Sequence, residues 1–223
     1  MMKSFLLPFA AIAIAVAMPT QAQTTQRYDI ASFDVAGVSL GMSPETAREA
    51  MRKAGFNLTE KAFAVTQTYE GLVRRKAQQL RQPMPQISSV DGPAEIDGRD
   101  SKGNKLSVLF ISTTEGPKVS TVRLTFDKDS NNISSLRDDI VSRYGAPTQE
   151  MFAANGLHWC DESPNACGLS SERYAPKLEY SPALQPTLIL TGWPTMKRDR
   201  DADIARLFQA PDGERQRSLL GGS

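Results

Sequence analysis

The residues best suited to chemistry in this 223-residue chain are few and scattered. Its single histidine, His158, stands before Trp159 and Cys160, and the only other cysteine is Cys167. A catalytic dyad needs a nucleophile beside the imidazole. Ser163, Ser170 and Ser171 lie nearby in sequence, but none sits in a G-x-S-x-G elbow. The simpler reading of His158 is a packed or surface side chain. A metal site of His158, Cys160 and Cys167 would offer three ligands, too few for a closed zinc site. The two cysteines have six residues between them, which in an exported chain predicts a Cys160–Cys167 disulfide. Closing that loop stabilises the fold by about 2.5 kcal/mol in the chain-entropy model, less any strain.

The carboxylates form two suggestive groups. Asp127, Asp129 and Asn131 start like a calcium loop, and Asp138 falls where its last ligand would stand. Asn132 occupies the position of the loop glycine, however, and Asp138 that of the bidentate glutamate. A polar turn capping the next helix explains them more simply. Glu95, Asp97 and Asp100 lie near a hairpin tip. Paired carboxylates there would suit glycoside hydrolysis, although exposed acids in turns are ordinary. Arg74, Arg75 and Lys76 make the best basic patch and read as the wet face of a helix. The charged run 197–203 reads as a solvated helix start. Trp159 and Trp193 are expected in the core; if exposed, they would mark a binding surface. There is no P-loop and no G-x-G-x-x-G following a strand. The sequence therefore predicts no catalytic, cofactor-binding or metal-ligating residue.

The elements that must position these residues follow from periodicity. A helix is predicted over 43–54, with Ser43 as N-cap, Pro44 in its first turn, an apolar face of Ala47, Ala50, Met51 and Ala54, and Gly55 as its left-handed stop. A second spans 66–81 and ends before Pro83. The period then changes. Strands are expected within 86–97, over 105–112 and over 119–126, the last two joined around Gly116-Pro117. In 119–126, Val122 and Leu124 alternate with Arg123 and Thr125, as in a sheet with one wet face. A third helix covers 133–144 and stops at Gly145. Weaker strands follow near Met151 and over 157–160, 178–180 and 187–191, then a charged helix over 201–209. Helices and strands are segregated, so the fold class is α+β, with helices packed on a mainly antiparallel sheet. The helices ending at Gly55 and Gly145 hint at two related α/β subunits in tandem, over 33–127 and 128–209.

The N-terminus bounds the setting. Lys3, an apolar run of about 14 residues, and small residues at Thr20 and Ala22 predict a signal peptide over 1–22, cut between Ala22 and Gln23. That run is short of the roughly 20 residues needed to span a bilayer, and no cysteine near the cut permits a lipid anchor. A polar lead-in over 23–32 and a disordered tail over 210–223 flank the folded part. The chain carries 26 Lys and Arg against 25 Asp and Glu. Removing 1–22 takes away Lys3 and no acid, leaving a balanced charge with no global attraction to nucleic acid or anionic lipid. The expected location is the periplasm or the exterior.

Gly37-Val-Ser-Leu40-Gly41-Met42-Ser43-Pro44-Glu45 resembles the helix-opening segment of the SmpA/OmlA family. That family includes the small lipoprotein of the outer-membrane barrel-assembly machinery and is similar in fold to the β-lactamase inhibitor protein. Tyr144-Gly145-Ala146-Pro147-Thr148 resembles the helix-ending segment of such domains. The resemblance covers about 20 residues well and about 90 loosely. It implies two helices against a three- or four-stranded antiparallel sheet and supplies no catalytic residue. The chain departs from the lipoprotein in lacking a lipidation cysteine and in being about twice as long. The expected function is a non-enzymatic module that binds or scaffolds another envelope protein, through the sheet face or the cysteine loop. The alternatives are a proteinaceous inhibitor of a secreted or cell-wall enzyme and, least favoured, a carboxylate-dependent hydrolase.

Overall fold

The computed structural model describes residues 28–151, 155–160 and 176–209. The predicted signal peptide, its cut at Ala22 and Gln23, Cys167 and the tail lie outside the described residues. The lead-in was expected to be unstructured to residue 32, yet its end is packed. Ile30 opens a 3-10 turn and is fully buried, and the Tyr28 hydroxyl donates to the Ala146 carbonyl at 2.6 Å. A hairpin of β1 (Asp34–Val35) and β2 (Val38–Ser39) follows. Its turn residues Ala36 and Gly37 both take positive φ, 54° and 81°, as a tight two-residue hairpin turn requires.

Helix α1 (Pro44–Lys53) forms as its caps predict. The Ser43 side chain accepts from the Thr46 amide, and Ala47 and Met51 are buried. Gly55 (φ 88°) reverses the chain. The Phe56 amide then donates to the Met51 carbonyl at 3.1 Å and the Gly55 amide to Arg52 at 2.9 Å, the paired bonds of a Schellman stop. The six exposed-to-half-buried residues of β3 (Asn57–Ala62) show no apolar alternation, and the sequence reading missed this strand. Helix α2 (Tyr69–Leu80) starts later than expected. The Thr68 side chain accepts from the Gly71 amide and sets the boundary, while 65–67 turn as a 3-10 segment.

Strand β4 (Pro93–Arg99) begins late in the expected 86–97 stretch. Strands β5 (Lys105–Thr113) and β6 (Gly116–Thr125) extend to a tight turn, so Gly116 and Pro117 belong to the strand and not to the connection. Helix α3 (Ile133–Tyr144) is as predicted. Strands β7 (Gln149–Met151), β8 (Gly156–Cys160), β9 (Lys177–Ser181) and β10 (Thr187–Thr191) complete the sheet. Helix α4 (Trp193–Arg206) begins well before the expected position 201. It has little apolar periodicity to read, and Ile204 is its one buried residue.

The fold is α+β. Eight antiparallel strands run in the order β3-β4-β5-β6-β10-β9-β8-β7. The order mirrors about the β6–β10 pair, and each half supplies four consecutive strands preceded by a helix, α1 or α3. The expectation of two tandem subunits finds no support in this arrangement all the same. The halves share one sheet, through five register pairs from Thr187↔Thr125 to Thr191↔Thr121. They also share one hydrophobic core, in which Met51, Val108 and Val122 join Ile140, Trp159 and Leu190. Residues from both sides of the boundary read at 127/128 contribute to that common core. On the opposite sheet face, α2 and α4 enclose a second, small cluster of Tyr69, Val73 and Ile204. Among the described residues no helix is long and apolar enough to cross a membrane.

Candidate functional site

Side chains alternate between the two faces of a strand. Ile96, Leu106, Val122, Leu188, Leu178 and Leu157 point into the main core, so the residues between them point to the other side. Their register lines up one residue from each strand across this outer face. Thr59 faces Asp97, Asp97 faces Ser107, and Ser107 faces Arg123. The line continues from Arg123 to Ile189, Glu179, His158 and Gln149. Helices α2 and α4 cover only part of this face, and Arg123, in the middle of it, is exposed.

The charges on the β3–β5 side are knitted together. Lys61 Nζ lies 2.7 Å from Glu95 Oε2 and 3.0 Å from Asp97 Oδ2. Ser107 Oγ donates to Asp97 Oδ1, and Lys105 Nζ stands 3.4 Å from the same oxygen. Burial pushes the Asp97 pKa up. The Ser107 and Lys61 hydrogen bonds and the Lys105 charge outweigh it and hold the carboxyl below its ordinary value. Asp97 is therefore ionised at neutral pH and unsuited to act as a general acid. Asp100 is a turn residue: its carboxylate accepts from the Lys102 and Asn104 amides and from the Asn104 side chain. The predicted trio thus divides into an ion-pair cluster and a turn cap.

On the β8–β9 side, Lys177 Nζ lies 2.6 Å from Glu179 Oε1. His158 Nε2 is 3.8 Å from the same oxygen, beyond hydrogen-bonding range. Burial lowers the His158 pKa, as does the Lys177 charge, and Glu179 only partly offsets them. The imidazole is neutral near pH 7. Its buried Nδ1 has no hydrogen-bond partner among the described residues, so nothing there orients it as a general base. Cys160 follows on the same strand and is buried. Cys167 lies outside the described residues, as do Ser163, Ser170 and Ser171.

The remaining candidates are structural. Asp127 accepts from the Asp129 and Ser130 amides. The Asn131 side chain bridges Asn104 Oδ1 and the Asp127 carbonyl at 2.8 Å and 2.6 Å. The supposed calcium loop is a turn locked onto Asn104, and Asp138 sits apart in α3. Among the described residues no three His, Cys, Asp or Glu side chains are gathered so as to hold a metal ion. Arg74 pairs with Glu70 along α2; both line a shallow cleft of about 280 Å³. Another, of about 410 Å³, lies between the Ala36-Gly37 turn and α1. Trp159 is wholly buried, as expected, whereas Trp193 is 46% exposed at the start of α4. Sequence reasoning did place Arg123 on a wet face. It missed the grouping of Lys61 with Glu95 and Asp97 because the edge strand β3 carries no readable pattern. No family of known proteins, no curated protein and no solved structure matches this chain.

Proposed function

We propose that the chain is an exported, non-enzymatic envelope protein that acts as a binding or scaffolding module and presents the outer face of its sheet to another envelope component. The observation that carries this reading is the row of side chains that runs in register across the eight strands of the outer face, polar on every strand but β10 and with the exposed Arg123 near its centre. A row of polar side chains extended across a sheet suits a protein surface better than a small substrate, which needs a concave pocket. The signal-like segment over 1–22 and the likeness to the SmpA/OmlA segment set the partner in the envelope, with the protein in the periplasm or outside the cell. The decisive experiment is a crosslinking pull-down of the tagged full chain expressed in its own envelope. Recovery of one or two discrete partners supports the reading, and a blank from folded, exported protein overturns it.

The second reading uses the same face to block a secreted or cell-wall enzyme, as the likeness to the β-lactamase inhibitor protein suggests. Slowing of a β-lactamase or wall hydrolase by the purified protein would select it over scaffolding. The hydrolase reading loses its best residues, because Lys61 ion-pairs with both Glu95 and Asp97.

A further inference from the structure

We infer that Arg123 is the anchoring cation of the outer sheet face, and that the partner is a protein segment presenting an exposed Asp or Glu carboxylate. This rests on the binding-module reading above and names the partner's chemistry. Arg123 lies on β6, beside the β6–β10 pair about which the strand order mirrors. On either side of it the charges are already satisfied. Lys61 and Lys105 neutralise the Asp97 group, Lys177 neutralises Glu179, and Arg99 turns to the Gly103 carbonyl at 3.2 Å. The Arg123 backbone is paired in the sheet, but its guanidinium has no hydrogen bond or ion pair with any described residue.

The surroundings suit recognition of a carboxylate on a protein. On this part of the sheet Lys61, Arg99, Lys105, Arg123 and Lys177 face Glu95, Asp97 and Glu179, a positive excess of two carried by Arg99, which bonds a carbonyl, and Arg123. The immediate neighbours are uncharged. Ser107 and Ile189 flank Arg123 in register, and Ile189 is half-buried, giving the guanidinium one dry side. Thr121 and Thr191 bond to each other at 3.0 Å. A guanidinium offers two parallel N–H donors that match a carboxylate, and arginine among apolar and hydroxyl neighbours is a common interface hot spot.

The test uses the full chain with a photocrosslinking amino acid at Thr125, two register pairs from Arg123 and on the same face of the sheet, or at Glu49 on α1 as the opposite-face control. The expected result is a discrete Thr125 adduct in the envelope whose partner peptide contains an Asp or Glu. Arg123→Glu cuts the adduct by about tenfold or more, Arg123→Lys retains part of it, and reversing the mapped partner carboxylate to Arg restores it. Circular dichroism confirms that these exposed-site variants fold. An adduct unaffected by Arg123→Glu overturns the inference and leaves the sheet-face reading standing. No adduct at Thr125, with or without one at Glu49, removes both. Flotation with phosphatidylglycerol vesicles that is lost in Arg123→Glu overturns it in favour of a lipid phosphate.

Discussion

The indole N–H of Trp159 donates to the carbonyl of Gly145 at 3.0 Å, tying strand β8 to the residue that ends helix α3. The same ring lies 6.0 Å from Tyr144, whose hydroxyl donates to the Asp34 carbonyl at 2.8 Å. Tyr144, packed against Trp159, thus fastens the second half of the chain to the first hairpin. Trp159→Phe should cost about 1 kcal/mol or somewhat more, for the lost hydrogen bond and the smaller ring. Trp159→Ala should cost about 3–5 kcal/mol. Urea unfolding followed by circular dichroism measures both; equal midpoints for wild type and Trp159→Ala would contradict this account.

Gly98 tolerates no side chain. A Cβ there would stand 2.8 Å from Phe56 Cβ and 3.1 Å from both Leu58 Cδ2 and Met51 Cε. Gly98→Ala should therefore destabilise by about 1–3 kcal/mol through overpacking. Gly98→Ala combined with Met51→Ala should recover part of the overpacking penalty relative to the sum of the two single variants, which a double-mutant cycle in thermal unfolding reads directly.

His158 predicts how stability responds to mild acid. Its folded pKa lies below the ordinary 6.5, so the unfolded chain binds more protons between the two values. Stability must then rise with pH through that window and fall as the pH drops below about 6.5, with a slope of at most about 1.4 kcal/mol per pH unit. His158→Gln should flatten the Tm profile between pH 5 and 7. Asp97, whose pKa is also lowered, acts in the same sense at lower pH: its contribution is present above its ordinary 3.8 and is lost as the pH falls below that value. A His158→Gln profile that keeps the wild-type slope between pH 5 and 7 would show that another group carries it.

The Cys160–Cys167 disulfide expected from the sequence has a direct assay. Protein isolated from its envelope should take up a thiol-alkylating reagent only after reduction and denaturation. Replacing both cysteines with serine should lower stability by about 2–3 kcal/mol. Full alkylation before reduction would remove the disulfide.

Much of the fold was legible because it is locally determined. Ser43, Pro44 and Gly55 bound α1 through backbone groups within a few residues of them. The alternation of Val122 and Leu124 with Arg123 marked a one-sided strand whatever its neighbours. β3 was not legible, since an exposed edge strand is defined by its pairing with β4 and not by its own pattern. The start of α4 was hidden because a helix with one buried residue leaves little periodic trace.

The sequence by itself determined the α+β class, most helix boundaries and the wet side of β6, because capping and side-chain alternation act over a few residues. Only the tertiary structure decided that both halves share one eight-stranded sheet and that Lys61 pairs with Glu95 and Asp97, 34 and 36 positions away. It alone left Arg123 unpaired among the described residues at the centre of that sheet. Strand order and cross-strand register are long-range properties, set by which apolar faces can be buried together, and no local spacing encodes them.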